Sequence, residues 1–105
     1  MTKEQYYESG MEFFSGNDLE KPIEQLGKAL AEDPHYGDAL HALAMSYYHL
    51  GDIDRAIKYG EQLRHSEAHN VHAYTGLSLF YNAKGLVEQA EEMGARATEL
   101  AADED

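Results

Sequence analysis

The chain overlays on itself when shifted by 34 residues. Phe13, Tyr47 and Tyr81 fall into register, as do Tyr6, Leu40 and Tyr74, then Met11, Met45 and Leu79, then Leu19, Ile53 and Val87. Ala29, Leu63 and Ala97 form a further set, Pro22, Ala56 and Ala90 another, and His35 coincides with His69. Self-similarity at this period marks stacked supersecondary units, each of which buries its apolar face only against its neighbours.

Inside each unit the apolar residues recur at helical spacing around a central turn, "SGNDLEK" in the first, "LGDIDR" in the second and "AKGLVEQ" in the third. The stretch "ALHALAMSYYHLGDIDRAIKYGEQL" resembles one long amphipathic helix, but Gly51 stands just past the last apolar residue, where a left-handed φ ends a helix. Asp52 behind it can cap a second helix with its carboxylate. The pattern predicts an all-α chain of six helices over 3–15, 19–32, 37–50, 53–66, 71–84 and 87–101.

A chain of 105 residues makes about one domain, and folding at this size buries roughly two-thirds of the unfolded surface. Twenty Asp and Glu against eight Lys and Arg give a net charge of −12. Such an excess repels phosphate backbones and anionic membranes, so nucleic acid and membrane are set aside and basic or apolar protein partners are expected. With no cysteine, thiol catalysis, disulfides and thiolate metal sites are excluded. The start "MTKEQYYESG" has no basic and apolar leader, and no run approaches the roughly 18 apolar residues of a membrane span. A cytoplasmic location is expected.

The units resemble the tetratricopeptide repeat: Tyr6, Gly10, Phe13, Asp18, Ala29 and Pro34 in the first; Leu40, Leu43, Ala44, Tyr47, Gly51, Asp52 and Ala56 in the second; Tyr74, Leu77, Ser78, Tyr81, Gly85, Ala90 and Ala97 in the third. The resemblance implies a right-handed superhelix of three helix-turn-helix units, about 3–36, 37–70 and 71–104, in a single domain over 1–105. Pro22 departs from the family's alanine, in a first turn where a missing N–H costs little. Gly60 and Gly94 replace bulky residues, at about 0.5–1 kcal/mol each in helix stability. Either a large neighbour fills each gap, with Tyr59 and Met93 as candidates, or the helices approach closely. Ala68 and Ala102 replace junction prolines. The family's extra solvating helix has no obvious counterpart, so the last helix is expected to expose parts of Leu86, Val87, Ala90, Met93, Ala97 and Leu100. That face is either tolerable in water or an assembly surface, with Leu86, Val87, Met93 and Leu100 at its centre and a homo-oligomer as one outcome. Acidic residues at a helix C-terminus oppose the macrodipole, so fraying is expected over 102–105.

Relatives receive a peptide in the groove lined by the first helices of the units. The resemblance places Glu4, Tyr7, Met11, Phe14 and Ser15 there, with Asp38, His41, Met45, Tyr48 and His49 from the second unit and His72, Thr75, Leu79, Asn82 and Ala83 from the third. Tyr6, Phe13, Leu40, Leu43, Tyr47, Tyr74, Leu77 and Tyr81 turn inward, which makes Tyr47 core and Tyr48 spare. Met11, Met45 and Leu79 form a central stripe of adaptable apolar surface flanked by Tyr7, Phe14 and Tyr48, or in part complete interhelix packing. Relatives that hold acidic chaperone tails use a lysine, asparagine and arginine clamp. Here Tyr7, Met11, Met45, Thr75 and Leu79 stand instead, so no such clamp is expected.

Six histidines raise a metal or pH-switch question. His65, His69 and His72 are spaced at three and four, but the junction at Ala68–Asn70 breaks the helix that would align them, and no metal or other cofactor is expected. Groove histidines near Asp38 would make binding pH-dependent. No phosphate loop or nucleophile elbow occurs, and Glu91–Glu92 reads as a solvated face, so no enzymatic activity is expected. Two functions remain. One is an adaptor or small chaperone whose groove takes an apolar or basic segment; small acidic secretion chaperones of three such repeats are similar in size and charge. The other is a structural unit that oligomerises or docks into a larger complex through its terminal helices.

Overall fold

The computed structural model describes residues 1–14 and 18–103, which form six helices: α1 (Lys3–Phe14), α2 (Glu20–Glu32), α3 (Gly37–Leu50), α4 (Ile53–Ser66), α5 (Val71–Ala83) and α6 (Val87–Asp103). They pair as α1 with α2, α3 with α4 and α5 with α6, and each pair packs on the next. The expected boundaries hold to within about two residues. Ser15 and part of the first turn lie outside the described residues. The expected fraying is corrected in part: residues 102 and 103 are helical, while 104 and 105 lie outside the described residues.

Local chemistry sets the breaks. Gly51 and Gly85 take φ of 84° and 83°, the left-handed conformation that ends a helix, and are the positive-φ residues of the described backbone. Asp52 accepts a hydrogen bond from the Arg55 backbone N–H at 3.2 Å and so caps α4. Asn70 accepts from the His72 N–H at 2.9 Å at the start of α5. The Tyr74 hydroxyl donates to the Ala68 carbonyl at 2.8 Å, tying the α4–α5 junction to α5.

Two apolar clusters hold the stack. Leu26, Ala29, Ala39, Ala42 and Leu43 join the first unit to the second. Leu40, Ala44, Ala56, Leu63, Tyr74, Leu77, Phe80, Met93 and Leu100 belong to the cluster that joins the second to the third. Phe80 is the largest fully buried side chain there, and the 34-residue comparison hides it, because Glu12 and Ser46 occupy its register in the other units.

Four expectations are corrected. Phe13 is 41% exposed rather than core, with the Lys21 ammonium 5.1 Å from its ring centroid. Tyr47, its counterpart, stacks on Tyr59 at 5.6 Å, and the first unit offers Gln25 at the Tyr59 position. Met93 and Leu100, expected on an exposed assembly face, are 6% and 7% exposed. They lie at spacings of three and seven with Ala90 and Ala97 along the face of α6 that packs toward α5. Leu86 and Val87 are exposed. Tyr59 and Met93 do not fill the glycine gaps: a methyl placed on Gly60 would lie 2.8 Å from Leu77 Cδ2, and one on Gly94 would lie 3.3 Å from Ser78 Oγ. Close approach by α5 explains Gly60. Tyr48 is not spare, since it is half-buried with its ring 5.5 Å from that of Phe80.

Candidate peptide-binding groove

Helices α1, α3 and α5, the first of each pair, pack side by side in that order. Ring contacts mark the two seams. Tyr7 of α1 lies 5.7 Å from Tyr36 at the start of α3, and Phe14 lies 6.3 Å from His49 at the other end of the same seam. Across the next seam His41 of α3 lies 5.4 Å from His72 of α5, and Tyr48 touches Phe80. The structure therefore brings Tyr7, Phe14, His41, Tyr48, His49 and His72 to the α1–α3–α5 seams.

The remaining candidates differ in exposure. Met11, Asp38, His49, His72, Thr75, Leu79 and Asn82 are exposed, as are Glu4 and Ala83, whereas Tyr7, Phe14, His41 and Met45 are half-buried. Met45 packs against the larger core cluster, so much of its area is already used within the fold. Thr75, Leu79 and Asn82 line a recess of 420 Å³ together with Ser78 and, from α6, Gly94, Ala97 and Thr98. That recess belongs to the outer side of the third pair as much as to the groove helices. A larger recess of 690 Å³ lies at the α2–α3 turn and α4, lined by Pro34, His35, Lys58, Glu61, Gln62, His65 and Ser66, and contains no candidate groove residue.

Charge is distributed unevenly between the two helix layers. α3 and α5 contain no lysine or arginine, and α1 contains Lys3 alone, whose ammonium is 2.6 Å from the Asp33 carboxylate and 4.9 Å over the Tyr36 ring. The second helices hold Lys21, Lys28, Arg55, Lys58, Arg64 and Arg96. On the groove helices the formal charges besides Lys3 are the carboxylates of Glu4, Glu8, Glu12 and Asp38.

Burial pushes the His41 pKa down, His72 adds to the shift, and Asp38 opposes it. Burial likewise raises the Tyr7 phenol, with Asp38 adding to it. His35 Nδ1 lies 3.0 Å from the Ser66 hydroxyl, and His69 lines a recess at the α4–α5 junction together with His72. Among the described residues no three His, Asp or Glu side chains converge as metal ligands, and no helix is long and apolar enough to cross a membrane.

Helical hairpins that stack in series, each closing the core of the last, define an all-α repeat superhelix. Two tetratricopeptide-repeat family models match the chain, over residues 15–65 and 42–105. The chain belongs to the tetratricopeptide-repeat family. The MamA crystal structure superposes with a TM-score of 0.93 at 28% identity, covering 98% of this chain and 60% of MamA. A second MamA structure gives 0.88 at 29% identity over 94% of this chain and 54% of MamA. This chain thus spans little more than half of MamA. The second tetratricopeptide domain of Spaghetti (RPAP3), bound to the HSP90 peptide SRMEEVD, superposes with a TM-score of 0.90 at 18% identity over 95% of this chain and 93% of that one. At that identity the likeness is one of fold. No curated protein matches in sequence.

Proposed function

We propose that residues 1–105 act as one protein-interaction domain, an adaptor or small chaperone that holds an apolar segment bearing basic residues against α1, α3 and α5. The observation that carries this reading is the absence of lysine and arginine from α3 and α5 and the neutralisation of Lys3 by Asp33. Exposed Met11 and Leu79, half-buried Tyr7, Phe14 and Met45, and the carboxylates of Glu4 and Asp38 favour a ligand opposite in charge to SRMEEVD. An acidic ligand would meet repulsion, with Lys3 already paired to Asp33 as the one lysine or arginine on these helices.

The test is capture of partners from the source cell with wild type and with a Met11→Lys, His49→Lys variant whose helicity is unchanged. The reading expects basic, apolar segments among the captured chains and their loss with the variant. Equal capture by both would overturn it. The exposure of Leu86 and Val87 at the α5–α6 turn supports the assembly reading as a second one, and a mass that rises with concentration in light scattering would favour it.

A further inference from the structure

The 690 Å³ recess beside the α2–α3 turn lies on the layer of second helices, and its chemistry is the reverse of the groove's. Lys58, Gln62, His65 and Ser66 follow one another on α4 at spacings of four, seven and eight, so one face of the helix carries all four. Pro34 and His35 close the recess from the turn. Ser66 joins the two walls, its hydroxyl 3.0 Å from His35 Nδ1. A hydroxyl that donates to Nδ1 leaves the imidazole proton on Nε2, free to donate to a ligand.

The ion pairs around α4 decide which ligand suits this recess. Two carboxylates stand at helical spacing from Lys58, and both are committed elsewhere. Asp54 holds the Lys84 ammonium at 2.6 Å. Glu61, the carboxylate of the recess itself, accepts from the Tyr81 hydroxyl at 2.7 Å and from Arg64 at 2.6 Å. Lys58 is left over the Tyr59 ring, 5.3 Å from its centroid, and with Lys21 it is one of two cations that no described carboxylate pairs. Among the described residues Gln62 and His65 make no hydrogen bond through their side chains either. The other units differ at this face. Displaced by 34 residues, Lys58 becomes Glu24 or Glu92 and Gln62 becomes Lys28 or Arg96. There the face neutralises itself, Lys28 with Glu24 at 3.5 Å and Arg96 with Glu99 at 3.1 Å. In the second unit it presents unpaired donors.

We propose that this recess binds an acidic segment of a partner protein. An aspartate or glutamate carboxylate sits between Lys58, His35 and His65, and a neighbouring apolar side chain rests on Pro34 and the aliphatic stems of Lys58 and Gln62. The net charge of −12 does not forbid this, because physiological salt screens charges beyond about 8 Å and the local set decides. A peptide segment suits the site better than a small free acid: the donors stand on two elements and are all exposed, so no single carboxylate is enclosed. The site shares no residue with α1, α3 or α5 and stands whether or not the groove reading does.

The test is a titration of the isotopically labelled full chain with a peptide alternating leucine and glutamate, followed through amide shifts in nuclear magnetic resonance. Exposed ion pairs are individually weak, so the expected dissociation constant is on the order of hundreds of micromolar. The largest shifts are expected at His35, Lys58, Gln62, His65 and Ser66. Lys58→Glu and His65→Glu, both at exposed positions, should each weaken binding roughly fivefold or more. Lys21→Glu, at the other unpaired cation, changes the net charge as much as Lys58→Glu and should leave the affinity unaltered. N-acetylglutamate should not saturate the same shifts at the same concentrations. Shifts centred on α1, α3 and α5, equal weakening by Lys21→Glu and Lys58→Glu, or N-acetylglutamate binding as tightly as the peptide would overturn the proposal. So would shifts that fail to saturate at millimolar peptide.

Discussion

Leu77 rests directly on Gly60, its Cδ2 2.8 Å from where the smallest side chain would begin. The second and third units meet across this contact, and the two equivalent glycines therefore respond differently to the same change. Gly60→Ala gains helix propensity of roughly 1 kcal/mol but forces Leu77 to shift within a packed core, an overpacking cost of about 1–3 kcal/mol. Gly94→Ala meets only the Ser78 hydroxyl, 3.3 Å away and held by its hydrogen bond to the Ala90 carbonyl, a contact that a shift of a few tenths of an ångström relieves, and should keep most of the gain. Thermal melts should show Gly60→Ala below wild type and Gly94→Ala at or above it; the reverse order would contradict the packing described.

Phe80 is 1% exposed at the centre of the larger cluster. Phe80→Ala should lower stability by about 3–5 kcal/mol in urea denaturation. Tyr47→Ala should cost less, because Tyr47 is half-buried, although it loses the stack on Tyr59.

His41 gives the fold an acid-sensitive point. Its folded pKa lies below the ordinary value, because burial and the neighbouring His72 outweigh Asp38. The unfolded chain then binds the proton more readily, so His41 leaves stability untouched above pH of about 6.5 and reduces it as pH falls through the lowered folded value. Melting curves of wild type and His41→Gln should keep a constant separation above neutrality, and wild type should lose more stability as pH falls below about 6.5. Parallel curves across that range would contradict it.

Tyr81 supplies the alkaline counterpart. Its hydroxyl donates to Glu61 Oε1 at 2.7 Å while Arg64 holds Oε2 of the same carboxylate at 2.6 Å. Burial and that hydrogen bond push the phenol up to about 12. Because the folded value lies above the unfolded one, the stability Tyr81 contributes is complete below pH of about 10 and is lost as pH rises toward 12. In an ultraviolet titration of folded protein, replacing Tyr81 with Phe should leave the ionisation seen up to about pH 10.5 unaltered.

Most of the fold was legible in the sequence, because the 34-residue register and the two turn glycines are local signals that tertiary packing reinforces. Side-chain fate was less so. Register equates Phe13 with Tyr47, but burial depends on what the second helix offers, Gln25 in one case and Tyr59 in the other. Phe80 escaped notice because no other unit carries an apolar residue in its place. Met93 and Leu100 were assigned to a surface on the strength of a family comparison, while the spacing along α6 already turned them toward α5. For the candidate groove, the sequence pointed to its helices and to the missing lysine, asparagine and arginine clamp, and the seams at Phe14–His49 and His41–His72 required the structure.

The central claim is that the α1–α3–α5 surface selects apolar, basic segments. It is tested most directly by titrating the chain against two labelled peptides, one alternating leucine and arginine and the other SRMEEVD, in low and in physiological salt. The account predicts saturable binding of the first, weakened by salt and by Met11→Lys, His49→Lys, and no binding of SRMEEVD tighter than weak micromolar. Tight binding of SRMEEVD, or equal affinity for both peptides, would contradict it.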